Sequence, residues 1–213
     1  MFELYLVTDE KLCLGKPLEE VVEQAVMGGV TAVQLREKDL NTRDFIQRAV
    51  HLKKILSVYH VPLIINDRID VALAMGADGI HIGQYDMPYE YFKKIIPDQM
   101  IRGLSVETLA QASEAEKYKL DYLSVSPVFL TSTKTELIKE WGIEGLRELA
   151  ATTRHPLVAI GGINSSNAAD IIKAGATGIA VVSAICSARD PLIASRELKS
   201  VIEKTKKEND PSI

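Results

Sequence analysis

Eight short apolar runs rich in β-branched residues alternate with stretches of helical spacing, and this alternation constrains the fold more than any other feature of the chain. The runs end at Gly, Pro, Asp or Ser and lie at Leu4–Thr8, Ala32–Arg36, Leu63–Asn66, Gly79–Gly83, Ile101–Ser105, Tyr122–Ser126, Leu157–Gly161 and Gly178–Ser183. Strands that alternate with helices form a parallel sheet that is buried on both faces. Eight such repeats in 213 residues predict an α/β fold of the (β/α)8 TIM-barrel type.

The entrance to every even-numbered strand has a similar sequence, which adds a fourfold repeat to the alternation. Gly29, Gly76 and Gly175 stand where a helix is expected to end, and Lys119 takes the same place before the sixth strand. Glycine at such a position favours a left-handed helix end that leads into a strand. An open doubly wound sheet is the alternative, but it does not require this recurrence. The repeat therefore favours a closed barrel.

No linker or charge block divides the chain, so we predict a single domain over residues 1–213. Its last residues, 203–213, are polar, and we expect them to fray. One long connection, from Leu130 to Trp141, follows the sixth predicted strand and is rich in Thr, Ser, Lys and Glu. In a compact domain, a connection of this length is typically a functional lid or a disordered segment.

The charge and the apolar pattern exclude two classes of partner. The chain has 25 Lys and Arg against 29 Asp and Glu, and its formal net charge of -4 gives no general attraction to nucleic acid or to an anionic membrane. No apolar run approaches the roughly 18 residues that a membrane-spanning helix needs. The N-terminus lacks the order of an export signal, and two cysteines do not suggest a disulfide framework. We expect a cytoplasmic protein, and the sequence leaves its oligomeric state open, with a homodimer among the alternatives.

Polar side chains cluster at the predicted carboxyl ends of the strands, which form the working face of a barrel of this type. After the second strand, Gln34, Arg36 and Lys38 recur at every second residue. This period places an amide, a guanidinium and an ammonium group on one face of the strand, where they can converge on an anion. The pattern favours phosphate binding, and the alternative is a layer of salt bridges inside the barrel.

Two aspartates, Asp67 and Asp86, follow the third and fourth strands. Their oxygens are too few for a calcium site but suffice for a Mg²⁺ ion that keeps waters and takes further ligands from a substrate phosphate. Alternatively, Asp67 caps the following helix and Asp86 holds a turn before Pro88. Asn66 and Ser105 are also ambiguous, because each could satisfy backbone groups at a strand end.

Further candidates for phosphate binding follow the sixth, seventh and eighth strands. Thr131, Thr133 and Lys134 offer two hydroxyl donors and a cation. Gly162 and the pair Val182–Ser183 lie where barrels often bind phosphate through backbone N–H groups and helix starts. The alternatives are a solvated polar loop and tight turns that need glycine for packing.

Several common motifs are missing from the chain. It has no GxGxxG or Walker loop, which argues against a dinucleotide or nucleoside triphosphate site. It also has no Ser-His-Asp order, CxxC pair or His-rich metal set. His81 lies within the fourth strand, where a histidine is more often a satisfied interior residue than a base.

In this order, the motifs resemble those of the thiamine phosphate synthase family, also called thiamine-phosphate pyrophosphorylases. The resemblance covers nearly the whole chain, and its motifs are YLVTD from Tyr5, QLREKD from Gln34, LIIND from Leu63, ADGIHIGQ from Ala77, GLS from Gly103, PVF from Pro127, TSTK from Thr131, AIGGI from Ala159 and VVSAI from Val181. The resemblance implies a transferase that condenses hydroxymethylpyrimidine diphosphate with thiazole phosphate and releases diphosphate. It also implies Mg²⁺ as the cofactor.

The resemblance implies a role for each candidate residue, and each position carries the family's usual residue type. The pyrimidine diphosphate would bind Gln34, Arg36, Lys38, Asn66, Ser105 and Lys134. Four of these would act in catalysis, namely Arg36, Lys38, Ser105 and Lys134. Magnesium would bind Asp67 and Asp86. The thiazole phosphate would bind Thr131, Thr133, Gly162, Val182 and Ser183.

The resemblance implies a reaction that needs no protein nucleophile or base. An amino-substituted pyrimidine can stabilise positive charge on its exocyclic carbon once diphosphate departs, so the main task is to stabilise the leaving group. Four positions depart from the family pattern: Ser124 and Ser126 replace frequent glycines, Leu130 a frequent proline and Glu107 a common histidine. We expect these departures to affect loop shape and kinetics more than the number of ligands.

Three other functions stay open. A thiazole tautomerase of the same superfamily resembles the synthase but typically lacks the aspartate after the fourth strand and the Thr-x-Thr-Lys loop. A non-catalytic protein that binds a phosphorylated ligand for regulation would be expected to have a disrupted basic or metal-binding set. A phosphosugar-handling barrel enzyme is a more distant alternative.

Overall fold

The structure, a computed structural model, describes residues 2–130 and 140–209 and contains eight short parallel strands. The strands are β1 (Leu4–Val7), β2 (Ala32–Leu35), β3 (Leu63–Asn66), β4 (Gly79–Ile82), β5 (Ile101–Val106), β6 (Tyr122–Val125), β7 (Leu157–Ile160) and β8 (Gly178–Val181). They pair in chain order, and β8 pairs with β1. The predicted (β/α)8 TIM barrel is therefore confirmed.

Helices cover the outside of this barrel. They are α1 (Leu18–Met27), α2 (Thr42–Val58), α3 (Ile69–Met75), α4 (Tyr89–Ile95), α5 (Leu109–Ala115), α6 (Gly142–Thr152), α7 (Ala168–Lys173), α8 (Ser183–Cys186) and α9 (Pro191–Asn209). A short 3-10 turn, Glu10–Cys13, lies between β1 and α1. None of the helices described here has the length and apolar character needed to cross a membrane.

All eight predicted strands are present, but several end earlier than expected. Strand β2 ends at Leu35, so Arg36 belongs to the loop that follows it. At the entrances of the even-numbered strands, Gly29, Gly76 and Gly175 have φ angles of 107°, 65° and 104°. These positive angles confirm the expected left-handed turns between helix and strand.

The core has two layers, because alternate residues of each strand face opposite sides of the sheet. The outer layer fills the space between strands and helices, and its largest side chains include Phe45, Phe92 and Leu35. The inner layer fills the barrel, and its buried apolar members are Phe2, Tyr5, Val7, Ala32, Ile64, Tyr122, Val158 and Ala180. A Cβ atom at Gly103 would lie 2.2 Å from Cζ of Tyr122. Glycine at this position of β5 therefore makes room for the tyrosine ring.

The C-terminal helix α9 continues to Asn209, so the prediction that the chain frays from Glu203 is wrong up to that residue. Ile202 and Thr205 are buried, and Lys199 and Lys206 both form ion pairs with Glu3. These contacts hold the polar end of α9 against the amino end of the barrel. Residues 210–213 lie outside the described part of the chain.

The ion pairs of Glu3 link the stability of this contact to pH. Burial raises the pKa of Glu3, but the hydrogen bonds and charges of Lys199 and Lys206 outweigh burial and lower the pKa from 4.5 to about 2. Because the folded-state pKa is the lower one, the carboxylate stabilises the fold above about pH 4.5, and this contribution is lost as the pH falls towards about 2.

We expect Glu3→Gln to lower the free energy of unfolding at pH 7 by about 1–2 kcal/mol, a value reduced for the partial exposure of the pair. The measurement is urea denaturation of both proteins at pH 7 and again at pH 3. The difference in the free energy of unfolding between the two proteins should be smaller at pH 3 than at pH 7. A loss of stability that is the same at both pH values would show that the carboxylate charge is not the cause.

Candidate active site

A cavity of about 500 Å³ opens at the carboxyl ends of the strands. Every predicted site residue that the structure describes lines it: Gln34, Arg36, Lys38, Asn66, Asp67, Asp86, Ser105, Gly162, Val182 and Ser183. The three other candidates, Thr131, Thr133 and Lys134, lie outside the described residues. The described basic and acidic candidates, and those in the loops after β7 and β8, therefore share one mouth of the barrel.

The basic side of the cavity follows β2. Gln34 is buried within the strand, and the backbone N–H of Arg36 donates to Thr8 Oγ1 at 3.0 Å. The Arg36 guanidinium makes no hydrogen bond or ion pair with another described residue, whereas Lys38 forms an ion pair with Asp67. The Lys38 side chain is half exposed, so its ion pair lies at the rim of the cavity and not in a salt-bridge layer inside the barrel, the alternative from the sequence. The Arg36 cation faces the cavity without a protein partner in the described ranges.

Asp67 lies directly after β3 in an unusual backbone conformation, with a φ angle of 60°. Helix α3 begins two residues later with Arg68 at its N-cap position, and no side chain caps it. The alternative that Asp67 caps this helix is therefore wrong. Aspartate is among the few non-glycine residues that are enriched in this left-handed region.

Asp86 lies after β4 and contacts both the turn and the second carboxylate. Its Oδ2 atom accepts a hydrogen bond of 2.6 Å from the backbone N–H of Gly83, so the expected turn role is confirmed. Burial, followed by the neighbouring Asp67, raises the pKa of Asp86 from 3.8 to about 6. Burial also acts to raise the pKa of Asp67, but hydrogen bonds from Lys38 and Asp86 outweigh it and leave that pKa below its ordinary value.

Two carboxylates in contact repel each other unless a proton or a cation lies between them, and the acidic pair therefore fits a small divalent cation. Within residues 2–130 and 140–209, no group of three or more His, Cys, Asp and Glu side chains could hold a metal ion. Two protein carboxylates leave most of the coordination sphere to waters and to a ligand. That donor set suits Mg²⁺ shared with a phosphorylated substrate.

The loops after β7 and β8 form the opposite side of the mouth. Since the strands pair in order round a closed barrel, these loops face the loops after β3 and β4. Gly162 has a φ angle of 63°, and Ser183 is the first residue of α8. The cavity can thus receive one anion beside Arg36 and another beside Ser183.

A buried chain of hydrogen bonds crosses the floor of the cavity, and the sequence analysis missed it. Gln34 Nε2 donates to the Tyr5 hydroxyl at 3.1 Å, and the Tyr5 and Tyr122 hydroxyls are 3.0 Å apart. The Tyr122 hydroxyl lies 2.9 Å from His81 Nδ1, and His81 Nε2 lies 2.8 Å from Ser105 Oγ. Burial raises the pKa of both phenols, which keeps them neutral. This series of hydrogen bonds therefore fixes the orientation of two candidate residues, Gln34 and Ser105.

Some other residues that line the cavity were either not predicted from the sequence or were given a different role. Glu107, Ser124 and Ser126 line the cavity, where we had expected them to affect loop shape. Tyr122 and Ser124 alternate along β6, so the period of two that identified Gln34 and Arg36 could have identified them too. His81 is a hydrogen-bonded interior residue, as predicted.

We expect Tyr122→Phe to lower the free energy of unfolding by about 1–3 kcal/mol, because the ring packing stays while two buried hydrogen bonds are lost. Thermal and urea unfolding measure the change. Tyr118→Phe is the matched control, since the Tyr118 hydroxyl makes a 3.5 Å surface contact with Glu114. Equal stability of the Tyr122→Phe and unsubstituted proteins would contradict the importance of the buried chain.

The sequence and the fold are similar to those of known proteins over nearly their whole length. A family model described as thiamine monophosphate synthase matches residues 4–185. The chain is 52% identical over 200 residues to the thiamine-phosphate synthase of Albidiferax ferrireducens, covering 94% of this chain and 91% of that protein. It is 53% identical over 201 residues to the thiamine-phosphate synthase of Leptospira biflexa, covering 92% and 96%.

The same similarity is found among solved structures. Thiamine phosphate pyrophosphorylase from Pyrococcus furiosus superposes with a TM-score of 0.88 and 41% sequence identity, with 96% of each chain covered. A 3-hexulose-6-phosphate synthase superposes with a TM-score of 0.69 at 15% identity, which shows a common fold alone.

Proposed function

The chain belongs to the thiamine monophosphate synthase family, and we propose that its cavity binds hydroxymethylpyrimidine diphosphate and thiazole phosphate side by side. The enzyme is a transferase that forms thiamine phosphate. One observation supports the proposal most strongly: Arg36, the Asp67–Asp86 pair and Ser183 all face a single cavity. Its volume of about 500 Å³ lies in the range of small-molecule sites.

The diphosphate of the pyrimidine substrate binds on the side of β2, β3 and β4. Arg36 offers a planar guanidinium that can contact two phosphate oxygens at once. Lys38 turns from Asp67 to the diphosphate when the substrate enters. Asp67 and Asp86 would hold Mg²⁺, which would offset the repulsion between their charges and the diphosphate.

The chemical step is the loss of diphosphate followed by attack of the thiazole nitrogen. The bond between the exocyclic carbon and the diphosphate oxygen breaks, and its electron pair leaves with the diphosphate. Bound Mg²⁺ would supply positive charge that stabilises this leaving group. Arg36 and Lys38 contribute charge at the same place, where preorganised donors lower the barrier by several kcal/mol.

The apolar part of the cavity wall protects the cationic pyrimidine from water. Val7, Ile160 and Ala180 line the cavity beside the buried tyrosines. The neutral Tyr5 and Tyr122 hydroxyls are engaged with each other and are not nucleophiles. The reaction that the family resemblance implies uses the thiazole nitrogen as the nucleophile, and its lone pair forms the new C–N bond with the exocyclic carbon.

The thiazole phosphate binds on the side of β7 and β8, at Gly162, Val182 and Ser183. Holding the phosphate there places the ring within reach of the pyrimidine, so the encounter becomes an intramolecular one. The family resemblance adds Thr131, Thr133 and Lys134 to the ligand set, from the segment outside the described residues.

We also propose that the enzyme works in the cytoplasm. The two cysteines, Cys13 and Cys186, are buried free thiols, which is typical of proteins from reducing compartments. The oligomeric state stays open, with a homodimer among the alternatives.

The acidic pair and the basic set argue against two of the alternative functions. A thiazole tautomerase has no diphosphate to neutralise, yet Asp86 is present and lies against Asp67. A non-catalytic binding protein needs no cation-binding pair opposite a second phosphate site. The candidate residues for both line one cavity, which supports a reaction between two phosphorylated substrates.

The test is an assay of the purified protein with both substrates, with and without magnesium. We expect equal amounts of thiamine phosphate and diphosphate, and no product after a chelator removes the metal. Conversion of the thiazole in the absence of the pyrimidine would instead indicate a tautomerase. Absence of any product with all three components present would refute the proposal.

A further inference from the structure

The loop that carries the two cations of the diphosphate site is held by contacts outside the strand. Strand β2 ends at Leu35, yet Gln34, Arg36 and Lys38 all line the cavity. Beyond the end of a strand, the ladder of hydrogen bonds no longer fixes which way successive side chains point. Other contacts must therefore keep residues 36–38 in this alternation.

Two contacts hold residues 36–38. One is made by the backbone N–H of Arg36, and the other by the side chain of Glu37, which lies between Arg36 and Lys38 in the sequence. The N–H of Arg36 donates to Thr8 Oγ1 at 3.0 Å, which extends the pairing of the first two strands by one residue. Glu37 is not among the residues that line the cavity. It accepts a hydrogen bond of 2.7 Å from Nη1 of Arg48 on helix α2, and its side chain is only 9% exposed.

Arg48 ties this loop to the neighbouring one. Its two terminal nitrogens each donate to one carboxylate oxygen of Glu10 at 2.8 Å, in a bidentate pair. Glu10 lies in the 3-10 turn after β1, so one guanidinium joins the loops that follow β1 and β2. Arg48 is mostly buried, with 19% of its side chain exposed.

Burial makes Glu37 depend on this contact. Desolvation raises the pKa of Glu37 above its ordinary value, even though Arg48 acts in the opposite direction. Without Arg48, the carboxylate would be a poorly solvated charge, which a protein avoids by protonation or by movement of the group into water. Movement of Glu37 would rotate the loop and turn its neighbours, Arg36 and Lys38, away from the cavity.

We propose that Arg48 is a positioning residue of the diphosphate site, because it holds Arg36 and Lys38 towards the cavity through Glu37. The inference rests on the proposed function of those two cations, and Arg48 itself touches no substrate. The inference predicts that loss of Arg48 impairs the binding of one substrate only. Binding of the diphosphate should weaken, while binding of the thiazole phosphate across the mouth of the barrel should not.

The test measures binding of inorganic diphosphate with magnesium by calorimetry, in the Arg48→Met, Glu37→Gln and doubly substituted enzymes. We expect each single substitution to raise the dissociation constant about tenfold, and the double substitution to add little because both act through one contact. The KM for the pyrimidine diphosphate should rise by a similar factor, and the KM for the thiazole phosphate should not change. Arg48→Lys, which keeps the charge but loses the bidentate geometry, should restore part of the affinity.

Arg154→Met is the matched control. Arg154 also pairs with a glutamate, Glu116, but at the amino end of the barrel. Thermal unfolding of each variant establishes that it is folded. If Arg48→Met does not fold, Glu37→Gln and Arg48→Lys still separate the outcomes.

Two results would overturn the inference alone: an unchanged affinity for diphosphate in folded Arg48→Met, or an equal weakening for both substrates, which would indicate a general structural role. If the unsubstituted enzyme itself failed to bind diphosphate, the proposed site would be wrong and the inference would fall with it. The unsubstituted enzyme therefore distinguishes the two failures.

Discussion

Asp86→Asn should lower turnover by about a thousandfold, equivalent to about 4 kcal/mol of transition-state stabilisation. The amide can still accept the hydrogen bond from Gly83 N, so the turn after β4 should persist. The amide carries no negative charge, however, and the acidic pair is left with Asp67 alone, already paired with Lys38. The expected loss is thus one of magnesium affinity and leaving-group stabilisation.

The measurement is the initial rate at saturating substrates over a magnesium titration, with thermal unfolding of the same samples. Asp98→Asn is the control, because Asp98 is an exposed carboxylate that forms ion pairs at the amino end of the barrel. A variant that needs more magnesium and turns over slowly, at unchanged stability, supports the assignment. Ordinary turnover with ordinary magnesium dependence would remove Asp86 from the metal site.

Arg36→Met should lower kcat/KM for the pyrimidine diphosphate by about a hundredfold or more. Because the guanidinium makes no hydrogen bond or ion pair with another described residue, the melting temperature should change little. The kcat/KM of Arg36→Lys should lie between the values of the unsubstituted enzyme and Arg36→Met, since an ammonium group keeps the charge but cannot make the planar two-point contact.

Steady-state kinetics with each substrate varied in turn measures this effect. Arg147→Met provides the control, because Arg147 lies on the outer helix α6 and pairs with Glu144 at the surface. A defect for the pyrimidine diphosphate with none for the thiazole phosphate is expected. If Arg36→Met instead unfolds the protein, Arg36 is a structural residue, as the salt-bridge alternative held.

The fold could be predicted because its determinants are local and repeated. Each strand is a short β-branched run, and each helix has an apolar stripe, so eight repeats indicate a closed barrel. The ends of elements were less predictable. Arg36 continues the alternation of β2 without strand pairing, and residues 203–209 are helical because of contacts with Glu3 at the other end of the chain.

The ligand side chains could be predicted because the carboxyl ends of the strands meet at one mouth. The choice between the alternative roles of these residues depended on contacts in the folded structure and not on the neighbouring sequence. The start of α3, with Arg68 and not Asp67 at its N-cap position, excluded a helix cap, and the 3.0 Å contact of Tyr5 with Tyr122 joins residues that are far apart in the chain. Arg48 resembles an ordinary surface charge in its helix, and its partners in two loops become apparent only in three dimensions.

The most direct test is a crystal structure of the enzyme with magnesium, diphosphate and thiazole phosphate. We predict that diphosphate lies against Arg36, with the metal between it and the carboxylates of Asp67 and Asp86. The thiazole phosphate should lie in the same cavity, at Gly162 and Ser183. Either anion bound at another end of the barrel, or a metal ion away from both aspartates, would contradict the account.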